Sequence, residues 1–137
     1  MPDFKGAAQA AFFQALDGAA EVTDLSDVYQ HVPQETEPTP DKGLTIIGDL
    51  SAVNIAGKDG EIDRVTVEVI TEVRQPDQTA LTQLQAAVRG TLDRAALPTQ
   101  SGFEISPPVL ESEDAALAED GQTYLGTQRF SVLVQPA

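Results

Sequence analysis

The chain has no cysteine, one histidine, only eight lysines and arginines, and no apolar run of the length that crosses a bilayer. Without cysteine there are no disulfides, no thiolate zinc sites and no cysteine nucleophile, so packing alone must hold the fold. At 137 residues that is feasible for one domain, which hides roughly two-thirds of its unfolded surface. The missing cysteines lean towards a reducing compartment, and Met1-Pro2-Asp3 lacks the basic and apolar regions of a signal peptide. The expectation is a protein made and kept inside a cell, or packaged into a particle assembled there, with no membrane partner, since a spanning helix needs about 18 consecutive apolar residues.

The few cations, Lys5, Lys42, Lys58, Arg64, Arg74, Arg89, Arg94 and Arg129, are scattered, and 22 acidic residues outweigh them to a net charge of −14. Binding to phosphate backbones or anionic lipid depends on clustered cations, so neither is expected. Two tyrosines, Tyr29 and Tyr124, are too few for a base-stacking platform.

Scarcity also limits catalysis. Any serine triad would have to use His31, which stands between Gln30 and Val32 just before Pro33, and no G-x-S-x-G elbow accompanies it. Gly57-Lys58-Asp59-Gly60 has the spacing of a hairpin turn and not of a phosphate-binding loop. Asp59, Glu61 and Asp63 resemble the start of a calcium loop, but alignment on Gly60 puts Thr66 where the bidentate glutamate belongs. Glu111, Glu113 and Asp114 are the one acidic cluster that could hold a weak divalent ion, and a solvated face is the preferred explanation of them. No catalytic, cofactor-binding or metal-binding residue is assigned, and no enzyme is expected.

What is present is period. Arg64 to Val73 alternates, with Val65, Val67, Val69 and Val73 on one phase and Thr66, Glu68 and Glu72 on the other, the pattern of a half-buried strand. Pro76 breaks it, Asp77 can cap, and Leu81, Leu84, Val88, Leu92 and Ala95 form one stripe of a helix over 77–97, ended by Pro98. Upstream, Asp3 can cap a helix over 4–17 with Phe4, Ala8, Ala11, Phe12, Ala15 and Leu16 on its apolar stripe and Gly18 behind it. Val22 and Leu25 allow one further helical turn, and Val28, Tyr29 and Val32 a short extended piece stopped by Pro33. Residues 34–43, with Pro38 and Pro40 among acids, are too poor in apolar side chains to pack and are expected to form a mobile extended loop.

Leu44 to Ile55 reads as a strand with a bulge near Gly48-Asp49, turned back by residues 57–60 onto the strand over 62–74. Phe103 to about Leu117, interrupted by Pro107-Pro108, then Asp120-Gly121, then Tyr124 to Val134, reads as a second hairpin, in which Ser112–Glu119 could equally be a short helix in a longer loop. The expected fold is α+β: a mostly antiparallel sheet of four to five strands with two helices on one face, in the order α-β-β-α-β-β, in a single domain over residues 1–137. Val67, Val69, Leu84, Val88, Leu92, Phe130 and Val132 should share one core with Phe12 and Leu16.

In order and spacing the chain resembles the tail-terminator, or tail-completion, family of long-tailed phages and phage-derived particles. The residues that carry the resemblance are Phe12, Phe13 and Leu16; Val28-Tyr29-Gln30-His31-Val32-Pro33; Val65-Thr66-Val67-Glu68-Val69; Leu84 to Leu92; and Asp120-Gly121-Gln122-Thr123-Tyr124-Leu125-Gly126 running to Arg129-Phe130. One departure is the absence of a Pro-aromatic pair before the second strand, where Pro40 is followed by Asp41-Lys42-Gly43-Leu44, so that family's loop conformation is not carried over. The resemblance implies a protomer that joins copies of itself in a ring, commonly a hexamer, at the head-proximal end of a tail tube. There it would stop tube polymerisation and face a head connector protein, in a virion assembled in a bacterial cytoplasm. It transfers no catalytic residues. Two alternatives stand beside it: another head-to-tail neck component, and a non-viral acidic ligand-binding or regulatory module.

Overall fold

In a computed structural model, which describes residues 3–30, 42–56, 61–74 and 78–137, the elements run α1 (Phe4–Asp17), α2 (Ala20–Thr23), β1 (Ser26–Tyr29), β2 (Gly43–Asn54), β3 (Asp63–Val73), α3 (Thr79–Leu92), β4 (Phe103–Ile105), β5 (Val109–Leu117) and β6 (Tyr124–Pro136). Asp3 caps α1 as expected, its Oδ1 accepting the Gly6 N–H at 2.9 Å. The buried stripe of α1 is Ala7, Ala8, Ala11, Phe12 and Leu16. α2 is the expected extra turn, with Val22 buried and Leu25 left exposed just beyond it.

The sheet order is β1-β2-β3-β6, and the far edge of β6 is shared by β4 and β5. β3 alternates without a break: Val65, Val67, Val69, Thr71 and Val73 are buried, and the residues between them are not. Antiparallel pairing sets Val67 opposite Phe130 and Val69 opposite Gln128 on β6, and Ile47 opposite Val69 on β2. The register of β2 then slips between Ile47 and Leu50, where the bulge was expected. A Cβ at Gly48 would lie 2.8 Å from the Ile70 side chain, so a glycine is what lets the strand bend there.

The expected core is formed in full. Phe12, Leu16, Val67, Val69, Leu84, Val88, Leu92, Phe130 and Val132 belong to one buried cluster between the sheet and both long helices. The Phe12 and Phe130 rings meet edge-on at 6.0 Å, an arrangement that aligns the positive ring edge with the negative face.

Three expectations need correction. The sheet has six strands and not four to five, and though mostly antiparallel as expected it is mixed, because β1 pairs parallel to β2, with Ser26 opposite Gly43 and Tyr29 opposite Ile46. A parallel neighbour needs a crossover of about a dozen residues, and the chain has that length between Tyr29 and Gly43. The Ser26 hydroxyl fixes this pairing, donating to the Val22 carbonyl at 3.1 Å and lying 2.7 Å from Thr45 Oγ1. The element order therefore includes a third helix and additional strands.

Second, α3 spans Thr79–Leu92 and not 77–97. Asp93 is extended and its carboxylate accepts the Leu110 N–H at 3.0 Å, while Arg94, at φ +60°, donates its N–H to the Pro108 carbonyl. The chain is thus drawn off the helix axis towards β5, and Ala95 is not helical. Gln78 occupies the N-cap without a side-chain bond, and the expected cap, Asp77, lies outside the described residues.

Third, of the loop expected over 34–43, Gly43 is the first residue of β2 and Lys42 pairs with Asp27 at 3.4 Å; residues 34–41 lie outside the described residues. Of the two readings open for Ser112–Glu119, the strand holds through Leu117, and β5 and β6 are joined by residues 118–123, in which Gly121 has the positive φ, +72°.

Candidate interaction surface

Among the described residues, those considered for chemistry are not brought together. His31, Asp59 and the 57–60 turn lie outside the described residues. Asp63 accepts a bond from the Asn54 amide. The acidic cluster on β5 is divided by the strand period: Glu113 pairs across from Gln128 on the helix-covered side and Asp114 from Thr127 on the other. Glu113 accepts from Arg89 at 3.1 Å and from Gln128 Nε2 at 3.0 Å, and Glu111 accepts from the Ser131 hydroxyl at 2.6 Å. Among the described residues no group of three or more acidic or histidine side chains could hold a metal ion, and no helix is long and apolar enough to cross a membrane.

Glu113 belongs instead to a polar seam that joins α3 to β5 and β6. Gln128 Nε2 also donates to the Gln85 carbonyl at 3.1 Å, and the Gln85 amide donates to the Asp114 carbonyl at 2.8 Å. Gly126 lies beneath, where a Cβ would run into the Gln85 amide and come within 2.6 Å of Thr71 Oγ1. Period alone could not reveal this seam, because its glutamines lie on apolar phases of α3 and β6.

Two titrations are displaced from their ordinary values, both near the β5–β6 loop. Burial, and after it the neighbouring Asp120 carboxylate, raises the Glu72 carboxyl. Asp120 is lowered: its carboxylate accepts the N–H groups of Gln122 and Thr123 and the Thr123 hydroxyl, and Arg74 lies 4.0 Å away. These bonds stabilise the charged form and shape the turn.

The face of the sheet opposite the helices is not uniform. Leu44 and Ile46 fall on this phase by register, yet both are buried, outside the main core cluster. In the middle Arg129 pairs with Glu68 at 3.3 Å. At the far end Val53, Arg64 and Leu133 stand in one row across β2, β3 and β6, with Val109 nearby on β5. Val53 is 62% exposed, and Val109 and Leu133 are each 42% exposed. A shallow groove of about 590 Å³ runs between Arg64, Pro107, Val109, Glu111 and Leu133.

The described residues form an α+β domain whose outward face carries exposed apolar side chains beside a shallow groove. The comparisons give this domain its family. The family model described as Tail completion protein gp17 matches residues 10–135, and the chain belongs to that family, a structural protein of phage tails. Among solved structures, a chain from "Virion of native gene transfer agent (GTA) particle" shares the fold at a TM-score of 0.79 and 22% identity, with 98% of this chain and 99% of that chain covered. No curated protein sequence matches.

Proposed function

We propose that this protein caps the head-proximal end of a phage-type tail tube, stops its polymerisation and presents the surface to which the head is joined. The family match across residues 10–135 carries the reading. The capping unit is a closed ring of copies, six in the form the family commonly takes, with the tail tube protein on one side and a head connector on the other. A chain at −14 suits this place, since a conduit wall of like charge lets DNA pass without adhering. Assembly in a bacterial cytoplasm and a final place in the virion follow from the role.

Electron micrographs of particles made without this gene test it. Tails of unregulated length are the expected result. Tails of normal length beside unjoined heads would assign the protein to another part of the neck and overturn the capping role. Normal particles would overturn both.

A further inference from the structure

The exposed large apolar side chains among the described residues are Leu25, Val53, Ile55, Val109, Leu117 and Leu133, and they divide between the two ends of the sheet. Val53 lies near the end of β2 and Ile55 just beyond it, Leu133 lies near the end of β6, and Val109 opens β5; these ends coincide because β2 and β6 both run antiparallel to β3, and β5 antiparallel to β6. Leu117, at the close of β5, is at the opposite end, as is Leu25, whose carbonyl accepts the Gly43 N–H where β2 begins. Eleven residues of β3 separate the two ends by roughly 35 Å.

The two ends differ in the charge that stands beside their apolar side chains, although Glu61 and Asp63 also lie at the first and Glu111 lines its groove. At the first, exposed Arg64 stands between Val53 and Leu133 and makes no ion pair or hydrogen bond among the described residues, in a chain where acids far outnumber cations. At the second, Leu117 is 51% exposed and is followed by Glu119, which is exposed and likewise makes no ion pair among the described residues. Leu25 is the less exposed of the two apolar side chains there, at 39%, and stands beside the Lys42–Asp27 pair, whose charges cancel.

We infer that the Val53–Arg64–Leu133 patch of one copy receives the Leu117–Glu119 end of the next, Leu117 seating among the aliphatic side chains and Glu119 meeting Arg64. The inference rests on the ring proposed above and supplies its contact. Different patches on the two sides of each protomer make a head-to-tail interface, the kind that closes into a ring when its rotation divides the circle. An acidic end meeting an arginine that has no ion pair among the described residues also locally offsets the repulsion that a −14 chain otherwise offers its neighbours.

The absence of cysteine provides a clean test. The double variant Leu133→Cys/Leu117→Cys, oxidised under conditions where the parent chain forms rings, should yield a ladder of covalent multimers up to the ring size, and each single variant monomer only. As a check that does not depend on disulfide geometry, Arg64→Glu and Glu119→Arg should each weaken assembly about tenfold or more and regain it when mixed, with unchanged melting of the monomers. Rings from the parent, no ladder from the double variant and no effect of the charge changes would overturn this contact and leave the ring standing. Efficient dimers from a single variant would show a two-fold contact and overturn it as well. A parent chain that remains monomeric in salt and at tube ends would overturn the ring and the contact together.

Discussion

The Asp93 carboxylate accepts the Leu110 N–H at 3.0 Å, so the residue that leaves α3 also holds the start of the edge strand β5. Arg89 lies 3.9 Å from the same carboxylate and 3.1 Å from Glu113, making a second link between helix and strand. Asp93→Ala should lose about 1.5–3 kcal/mol, the range for a hydrogen bond to a charged group, and should speed amide exchange at Leu110. Protection at Leu110 equal to that of the parent would show that the bond does not anchor the strand.

Val88 is fully buried on α3 within the main cluster. Val88→Asp places a carboxylate there without a partner, and several kcal/mol of stability should be lost, enough to leave much of the protein unfolded at 37 °C. Thermal melting followed by circular dichroism checks this, and a midpoint within a degree or two of the parent would refute the placement.

Gly126→Ala tests the polar seam. Its Cβ would displace the Gln85 amide from the Asp114 carbonyl, at an expected cost of about 1–3 kcal/mol. Because the two side chains compete for one space, Gln85→Ala/Gly126→Ala should be less destabilised than the sum of the single changes. Additive losses in denaturant titrations would contradict the competition.

Glu72 gives a pH dependence of defined sign. Its carboxyl is raised in the folded protein, so the fold binds that proton more tightly than the unfolded chain does. The stability it contributes is fully present below the ordinary glutamate value and is lost as pH rises through the raised folded value. Glu72→Gln should therefore raise the melting temperature at pH 7 by about 1–2 °C, the group being more than half solvent-screened, and the difference should vanish below pH ~4. Asp120 has the opposite sign: the stability from its lowered carboxyl is present above the ordinary aspartate value and lost as pH falls through the folded one. An unchanged Glu72→Gln melting temperature at pH 7 would remove the first effect.

In the proposed ring, six chains at −14 would carry a formal 6 × −14 = −84, and the screening length falls from about 30 Å at 0.01 M salt to about 8 Å at 0.15 M. One exposed ion pair per contact adds about 0–1 kcal/mol and does not reverse the overall repulsion. Sedimentation velocity should find monomers in dilute, low-salt buffer and rings as salt or divalent cation is added. A ring that is stable at low salt and dissociates as salt rises would mean that ion pairs dominate the contact.

Local period carried much of this architecture. The valines of β3, the stripes of α1 and α3, the bulge after Ile47 and the proline break before Val109 could all be read because each depends on residues a few positions apart. The parallel partnership of β1 could not, because Ser26 finds Thr45 across a crossover and a four-residue strand has too little period to announce itself. The end of α3 escaped for the same reason: Asp93 leaves the helix to meet Leu110, 17 positions on. Contact faces are harder still to read. Val53, Leu133 and Arg64 are ordinary outward strand positions until the register sets them in one row.

That register also imposes an order in time. Val73 faces Tyr124 and Val65 faces Val132, so β3 waits roughly 50 residues or more for the strand that completes its inner face. At a synthesis rate of about 5–20 residues per second, the valines of β3 stay without that partner for roughly 3–10 s on each ribosome. Until β6 arrives, Phe12 lacks the ring it packs against and β5 has no strand to lie beside. The nascent chain is thus most vulnerable to misassociation in that interval, and closure of the core is coupled to the emergence of β6.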